Sequence, residues 1–348
     1  VIETDALVIG AGPAGLFTVF QLGLQGIQAQ VVDVLDTPGG QCAALYPDKP
    51  IYDIPGVPVC NGQELTRNLL RQIAPFAPGC HWGQLVSSLE LQADGRWLVG
   101  TQRNHQPCQQ FLARTVVVAA GVGAFVPKEL KIDGLNRFLG QQLFYTTPPQ
   151  PLISGQAIVV VGGEDAAITQ AVALAQSGQA SSVTLVHRRD VLQASEAALA
   201  EFNALRAAGR IRFQAGQVIG IQTSDQRLTG LSLSTPQAQN LDLPLDLLLV
   251  CQGISPKLGP LTQWGLAMER KQLTVDTATF ATSAPGIFAV GDVITYPGKK
   301  KLIVCGFHEA TLAAFAVAAL VHPEASTVLQ YTSSSALLQQ RLGVVPAP

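Results

Sequence analysis

Twice in this chain an apolar run ends in a glycine-rich turn, passes into a helix-forming stretch and returns as a second apolar run that stops at a polar residue. The first copy is Ala6-Leu-Val-Ile-Gly10-Ala-Gly12-Pro13-Ala14-Gly15, a helix through about Gly26, and a strand from Ala29 to Val32 ending at Asp33. The second is a strand from Ala157 to Val161, the turn Gly162-Gly163-Glu164-Asp165-Ala166-Ala167, a helix through about Ser177, and a strand from Val183 to Val186 ending in His187-Arg188-Arg189. Short, wholly apolar runs bounded by turns fit strands buried on both faces, the condition of a parallel sheet covered by helices. The repeat therefore predicts an α/β chain of two Rossmann-like, three-layer domains.

The remaining apolar runs suggest how the two are joined. Thr115-Val-Val-Val-Ala-Ala-Gly121 reads as a buried strand closing the first sheet, and Leu247 to Val250 with Cys251-Gln-Gly253 as its counterpart in the second. Gly286-Ile-Phe-Ala-Val-Gly291-Asp292 and a helix from about Phe307 to Leu320 then return to the first domain. The second domain is thus expected to be inserted in the first, with boundaries at 1–126, 127–253 and 254–348. Thr147-Pro-Pro-Gln-Pro151 is the expected hinge.

Composition narrows the partners. Hydrophobic residues make up 47% of the 348 and charged residues 13%, with a net charge of −2. That balance predicts a compact chain and gives no general attraction to nucleic acid or an anionic membrane. The start, Val1-Ile2-Glu3-Thr4-Asp5, is acidic where a secretion signal is basic, and the strongest apolar stretch, around Ala313 to Val321, reads as too short to span a bilayer. A cytoplasmic protein is expected. The six cysteines form no C-x-x-C, so free thiols are expected and no metal site.

The first turn carries the chemistry of a dinucleotide site. Gly10 allows the tight turn, Gly12 lets a pyrophosphate approach the backbone, and Gly15 lets the helix pack on the strand, so that the helix N-terminus faces the phosphates. Asp33, eighteen residues beyond Gly15, is placed to accept from ribose hydroxyls. Asp292, after a glycine at a strand end, suits a ribityl hydroxyl, and the helix after Gly306 would turn its positive end to an isoalloxazine. Together they predict FAD in the first domain.

With these motifs in hand, the sequence resembles the two-domain flavoprotein reductases of thioredoxin-reductase shape, and within them the thioredoxin-reductase-type ferredoxin–NADP⁺ reductases. The resemblance rests on Gly39-Gly40-Gln41-Cys-Ala-Ala-Leu-Tyr46-Pro-Asp-Lys-Pro-Ile-Tyr52-Asp-Ile-Pro-Gly, Ala120-Gly-Val-Gly-Ala-Phe125, Gly259-Pro-Leu-Thr-Gln-Trp-Gly-Leu, Tyr296 through Ala310, and Tyr331-Thr-Ser-Ser-Ser. It implies a nicotinamide domain inserted in an FAD domain. It also implies FAD contacts from Pro13, Ala14, Gly40, Gln41, Tyr46, Val86, Phe125, Asp292, Thr332 and Ser333. Tyr46 would stack on one flavin face and Tyr331 would cover the other, the tail reaching across a homodimer. Ferredoxin or flavodoxin is the implied partner. Two relatives of this shape use a cysteine pair, but the chain has no cysteine from 109 to 250, and position 47, where the partner of Cys42 would stand, is proline. An external one-electron carrier is therefore the expected acceptor, and Lys299, Lys300 and Lys301 are candidates for docking it.

The second turn departs from the family pattern. Gly162 and Ala167 match it, and Arg188 and Arg189 can grip the 2′-phosphate of NADP(H), but Glu164 replaces the middle glycine and Gln193 the last arginine. Two unit charges about 5 Å apart at an effective dielectric near 20 repel by roughly 3 kcal/mol. One reading keeps a weakened NADP(H) site. The alternative is a flavoprotein of the same fold with a degraded nicotinamide site, acting only with a protein carrier or as a redox-sensing module.

Overall fold

The computed structural model describes all residues except 46, 104–105, 326–328 and 345–348, and the side chains at 124–127 and 254–256 are likewise outside the description. The chain divides into two compact units, Val1–Ala124 with Pro256–Pro348, and Phe125–Ser255. Its crossings fall at 124–125 and 255–256, while the Pro-rich stretch expected to be the hinge lies inside the second unit, where Pro149 precedes the short helix Gln150–Ile153. Pro149 is the N-cap of that helix and Pro151 stands in its first turn, where its missing N–H costs no helical hydrogen bond.

The chain enters the first unit through β1 (Ile2–Ile9), α1 (Pro13–Leu24), β2 (Ala29–Val32), α2 (Gly40–Leu45), α3 (Gly62–Ile73), β3 (Gly79–His81), β4 (Leu85–Leu91), β5 (Trp97–Arg103) and β6 (Gln106–Val118). These strands lie in the order β3-β2-β1-β6-β5-β4. The run expected to close the sheet is the C-terminal half of β6, and it sits at the centre. One side of β6 pairs in parallel with β1, while the other takes β5 antiparallel along its first half. Thirteen residues let one strand serve two neighbours on the same side.

The second unit holds β7 (Leu143–Phe144), β8 (Ala157–Val161), α4 (Asp165–Ser177), β9 (Ser182–His187), α5 (Glu196–Ala207), β10 (Arg212–Ala215), β11 (Gln217–Ser224), β12 (Arg227–Ser234), β13 (Asn240–Pro244) and β14 (Leu247–Val250). Five strands form a parallel sheet in the order β7-β14-β8-β9-β10. One face packs on α4 and α5 through Ile158, Val160, Leu185, Ile168 and Phe202, and the other on the antiparallel sheet β11-β12-β13 through Val159, Val161, Val186, Leu231 and Leu233. Alternate residues of β8 thus serve the two cores, which is why its sequence is apolar throughout.

Back in the first unit, β15 (Ile287–Ala289) pairs in parallel with the second half of β6, and α6 (Ile303–Val321) and α7 (Ala336–Arg341) follow. The helix expected from about Phe307 begins four residues earlier. At 19 residues and a mean hydropathy of 1.8 it is, among the described residues, the one helix long and apolar enough to cross a membrane by length and composition, contrary to the expectation that no stretch reaches that length. Gly306, Ala310, Ala313, Ala314, Val317 and the charged Glu309 are buried along it, and it packs against α1. Its fully buried, partnered carboxylate in the second turn and its Ala313, Ala314, Val317 and Val321 put one face of it in the core of the first unit.

Gln142 ties the second unit together. Its Nε2 donates to Leu228 O (2.8 Å) and Asp246 O (2.9 Å), and its Oε1 accepts from Leu228 N (2.9 Å). Replacing it by alanine strands three backbone groups in the interior, at about 1–3 kcal/mol each if none finds water. We expect Gln142→Ala to lower the thermal midpoint of the second unit by a shift corresponding to at least ~3 kcal/mol. Calorimetry of the purified variant checks this, and an unchanged midpoint would show that the bonds contribute nothing.

Candidate functional site

The three glycines of the first turn have distinct steric duties. Gly10 has φ +110°, and a Cβ on it would meet Ala119 O at 2.4 Å. On Gly15 a Cβ would lie 1.9 Å from Gly10 O, so the first turn of α1 rests directly on the carbonyl end of β1. Gly12 differs, because a Cβ there would meet nothing nearer than Gly40 Cα at 3.9 Å. Among the described residues no side chain comes within 4 Å of that point, which leaves before the N-terminus of α1 the kind of cradle an anionic pyrophosphate needs.

Around that cradle several of the expected residues converge. Gly39 N donates to Ala11 O (2.8 Å), fastening the start of α2 to the glycine turn, and Gly40 faces Gly12. Gln41 reaches towards Gly121. Ala14 stands within 3.2 Å of Cβ positions on both Gly291 and Gly306, so the N-terminal turns of α1 and α6 and the Gly291-Asp292 turn abut. Two helix N-termini therefore point their positive ends into one region. Asp33 is buried at the end of β2. Its Oδ2 accepts from Ala11 N (2.6 Å) and its Oδ1 from Leu35 N (2.8 Å), so it also braces the turn. Burial raises its pKa above the ordinary carboxylate value, and those amide bonds only partly oppose the rise.

Other expected residues are placed differently. Val86 on β4 is part of the hydrophobic core. Tyr331, Thr332 and Ser333 lie in an exposed turn, with Tyr331 65% exposed. Tyr46 lies outside the described residues, as does the side chain of Phe125.

Sequence reasoning missed Glu309, which is fully buried on α6. Its Oε2 accepts from Gly291 N (2.7 Å), and its Oε1 accepts from the Tyr296 hydroxyl (2.8 Å) and the Lys299 ammonium (2.5 Å). Burial and then this carboxylate push the Tyr296 phenol well above its usual pKa. Lys299 is correspondingly almost inaccessible, which removes it from the expected docking patch and leaves exposed Lys300 and Lys301. An acid within an otherwise apolar helix was the available signal.

The second turn forms the floor of a cavity of about 460 Å³ in the second unit, lined by Gly162, Gly163, Glu164, His187 and Arg188 among others. Gly162 needs its missing side chain, since a Cβ would meet Cys251 O at 2.2 Å and the Ala167 Cβ at 2.6 Å. A Cβ on Gly163 would strike the His187 ring at 2.5 Å. Position 164 carries no such demand. Glu164 is the N-cap of α4 with φ −107° and ψ 173°, ordinary extended backbone. Its main chain bridges to Gln193, Gln193 N donates to Gly163 O (2.8 Å), and Asp165 Oδ1 accepts from Ser195 N (2.9 Å). The two departures from the family pattern are thus neighbours in one loop closure. Arg188 lines the cavity and Arg189 is exposed beside it. His187 is held below its ordinary pKa by burial and then by the two arginines, with Glu164 opposing.

Comparison with known proteins now carries weight. Residues 4–316 match the pyridine nucleotide-disulphide oxidoreductase family. The chain belongs to this family. A ferredoxin–NADP reductase of Paracidovorax citrulli is 57% identical over 356 residues, spanning 99% of this chain and 98% of that protein. A second, from Acidovorax, is 56% identical over 347 residues, spanning 99% and 96%. Among solved structures, thioredoxin reductase of Lactococcus lactis superposes with a TM-score of 0.57 at 22% identity, covering 92% of this chain and 99% of that one, a likeness of fold alone.

Two outcomes test the site. Gly15→Ala should abolish folding, because its Cβ meets backbone, whereas Gly12→Ala should fold with the thermal midpoint of the flavin-free wild type and lose most bound flavin, read from the visible-to-ultraviolet absorbance ratio. Glu309→Ala leaves the Lys299 ammonium buried without a partner and should destabilise by about 3–5 kcal/mol. Glu309→Gln combined with Lys299→Met should recover most of that in thermal denaturation, and no recovery would mean the pair is not what the turn relies on.

Proposed function

We propose that this family member is an FAD-dependent reductase that exchanges electrons between NADPH and ferredoxin or flavodoxin. The observation that carries the reading is the pairing of two dinucleotide turns with six free cysteines and no dithiol. A flavoprotein reductase without a disulfide relay must pass electrons to something outside the chain, and the full-length similarity to ferredoxin–NADP reductases supports a small carrier protein.

FAD, when bound, supplies a centre that takes electrons as a pair from a nicotinamide and releases them singly. In the first unit, Gly10, Gly12 and Gly15 bring the α1 N-terminus to the pyrophosphate, with Pro13 and Ala14 in the first turn, Asp33 accepting from ribose, and Gly40 and Gln41 closing the cradle. Asp292 is offered to the ribityl chain, its turn held from behind by Glu309. The partial positive charge of the α6 N-terminus favours negative charge on a nearby ring. Tyr46, Phe125, Thr332 and Ser333 are assigned flavin contacts on the family resemblance, and Val86 would act through its place in the core.

In the second unit, Gly162 and Ala167 set the turn, Arg188 and Arg189 take the 2′-phosphate, and the cavity holds the rest of NADP(H). Position 164 needs no glycine conformation, which favours this reading over a degraded nicotinamide site. No protein acid or base is needed, since the residues bind and orient. The exposed Tyr331 fits a tail that covers the flavin of a second copy, so a homodimer is part of the proposal. Exposed Lys300 and Lys301 suit an acidic carrier, and free thiols suit the reducing cytoplasm.

Anaerobic stopped-flow supplies the test. NADPH should bleach the flavin band, and reduced ferredoxin should do so without nucleotide. Arg188→Ala should weaken NADPH roughly tenfold or more, the loss of a charge-assisted contact, and leave NADH within about twofold. No bleaching at millimolar NADPH would overturn the reading.

A further inference from the structure

The cavity over the second turn includes a side chain that the sequence pattern does not mark. Lys128 lines it, as do Lys131, Arg188, Glu129 and Glu164. Gly253, whose φ is +82°, lies near both charges: Glu164 Oε2 is 3.5 Å and Lys128 Nζ 3.8 Å from the point a Cβ on that glycine would occupy. Lys128 is fixed there by its backbone, since its N–H donates to Gly253 O (2.9 Å). A side chain at 253 would intrude between the two groups, so a glycine there leaves their approach open.

We propose that Lys128 is a further phosphate-binding residue of the nucleotide site: its ammonium offsets the carboxylate of Glu164 and adds positive charge for the nucleotide phosphates beside this turn. The inference rests on the reading of this cavity as the NADP(H) site. A glycine at position 164 would leave only backbone N–H groups at the α4 N-terminus to meet a phosphate. Glu164 and Asp165 place two carboxylates there instead, and Asp165 is taken up by Ser195 N. Glu164 has no such partner from the α4 backbone, because its side chain makes no capping bond. His187 does not serve as the compensating cation at neutral pH, since burial and the adjacent arginines hold its pKa down. The cavity lining holds three cations, Lys128, Lys131 and Arg188, and two carboxylates, Glu129 and Glu164, so removing Lys128 brings it to parity. The cavity then attracts a dianionic or trianionic ligand less strongly, with Lys131 and Arg188 left to do so.

The experiment is calorimetric titration of the oxidised, flavin-loaded protein with NADP⁺, which binds without electron transfer. Lys128→Ala is compared with Glu164→Gln, the double variant, and Lys271→Ala as a loss of exposed charge on the first unit. Lys128→Ala should weaken NADP⁺ about tenfold, while in the Glu164→Gln background the same change should cost threefold or less. Lys271→Ala should leave affinity unchanged. Wild-type binding with Lys128→Ala unaffected, or an equal loss in both backgrounds, would overturn the proposal alone. No binding by the wild type at millimolar NADP⁺ would overturn the nucleotide reading and this inference with it.

Discussion

The closeness of a helix to the strand end beneath it governs both units. In the first, α1 lies on the last carbonyls of β1 with no room for an atom at Gly15 Cβ, and in the second Gly162 and Ala167 share a similar contact below α4. A helix held this near its strand has its first free N–H groups pointing out over the sheet edge, where an anion can reach them. The burial of β8 on both faces and the cavity above the second turn go with helices stacked at that distance.

Local backbone geometry, more than residue type, decides which glycines can change. Gly10 and Gly162 sit where a side chain would collide with main chain, and Gly163 would collide with His187. Position 164 has ordinary extended backbone, so glutamate costs the fold little there and acts through the carboxylate it places in the cavity lining. The penalty of about 3 kcal/mol expected from a carboxylate near a phosphate assumed that nothing stands beside the carboxylate. Lys128 supplies a neighbour of opposite sign.

Much of the fold was legible because it is local. The strands Ala29–Val32 and Ala157–Val161 and the end of the helix at Ser177 coincide with their apolar runs and turn residues. What escaped depends on distance in sequence. The central place of the run ending at Val118 follows from its sharing between β1, β5 and β15, and no single segment records that. The early start of α6 was hidden because Gly306 reads as a turn, although packing against Ala14 is what requires its small size. Lys299 read as solvated surface because lysines beside it are, and only Glu309 from the following helix draws it inside. Lys128 lies in irregular chain well away from the turn it serves, so the motif that announces the nucleotide site could not include it.

At its far end α1 is held by the tail. Arg341 of α7 donates to Leu24 O (2.5 Å) and its guanidinium covers Gly26, where a Cβ would lie 2.5 Å from it. A cation on the carbonyl end of a helix offsets the negative pole of its dipole. The same α1 presents its positive pole at the Gly12 cradle, so the tail and the cradle hold opposite ends of one rod. The segment that carries Tyr331 is thereby anchored to the helix that begins at the Gly12 cradle, and a displacement of the tail would be felt as a loss of restraint on that helix rather than as a change at its N-terminal end.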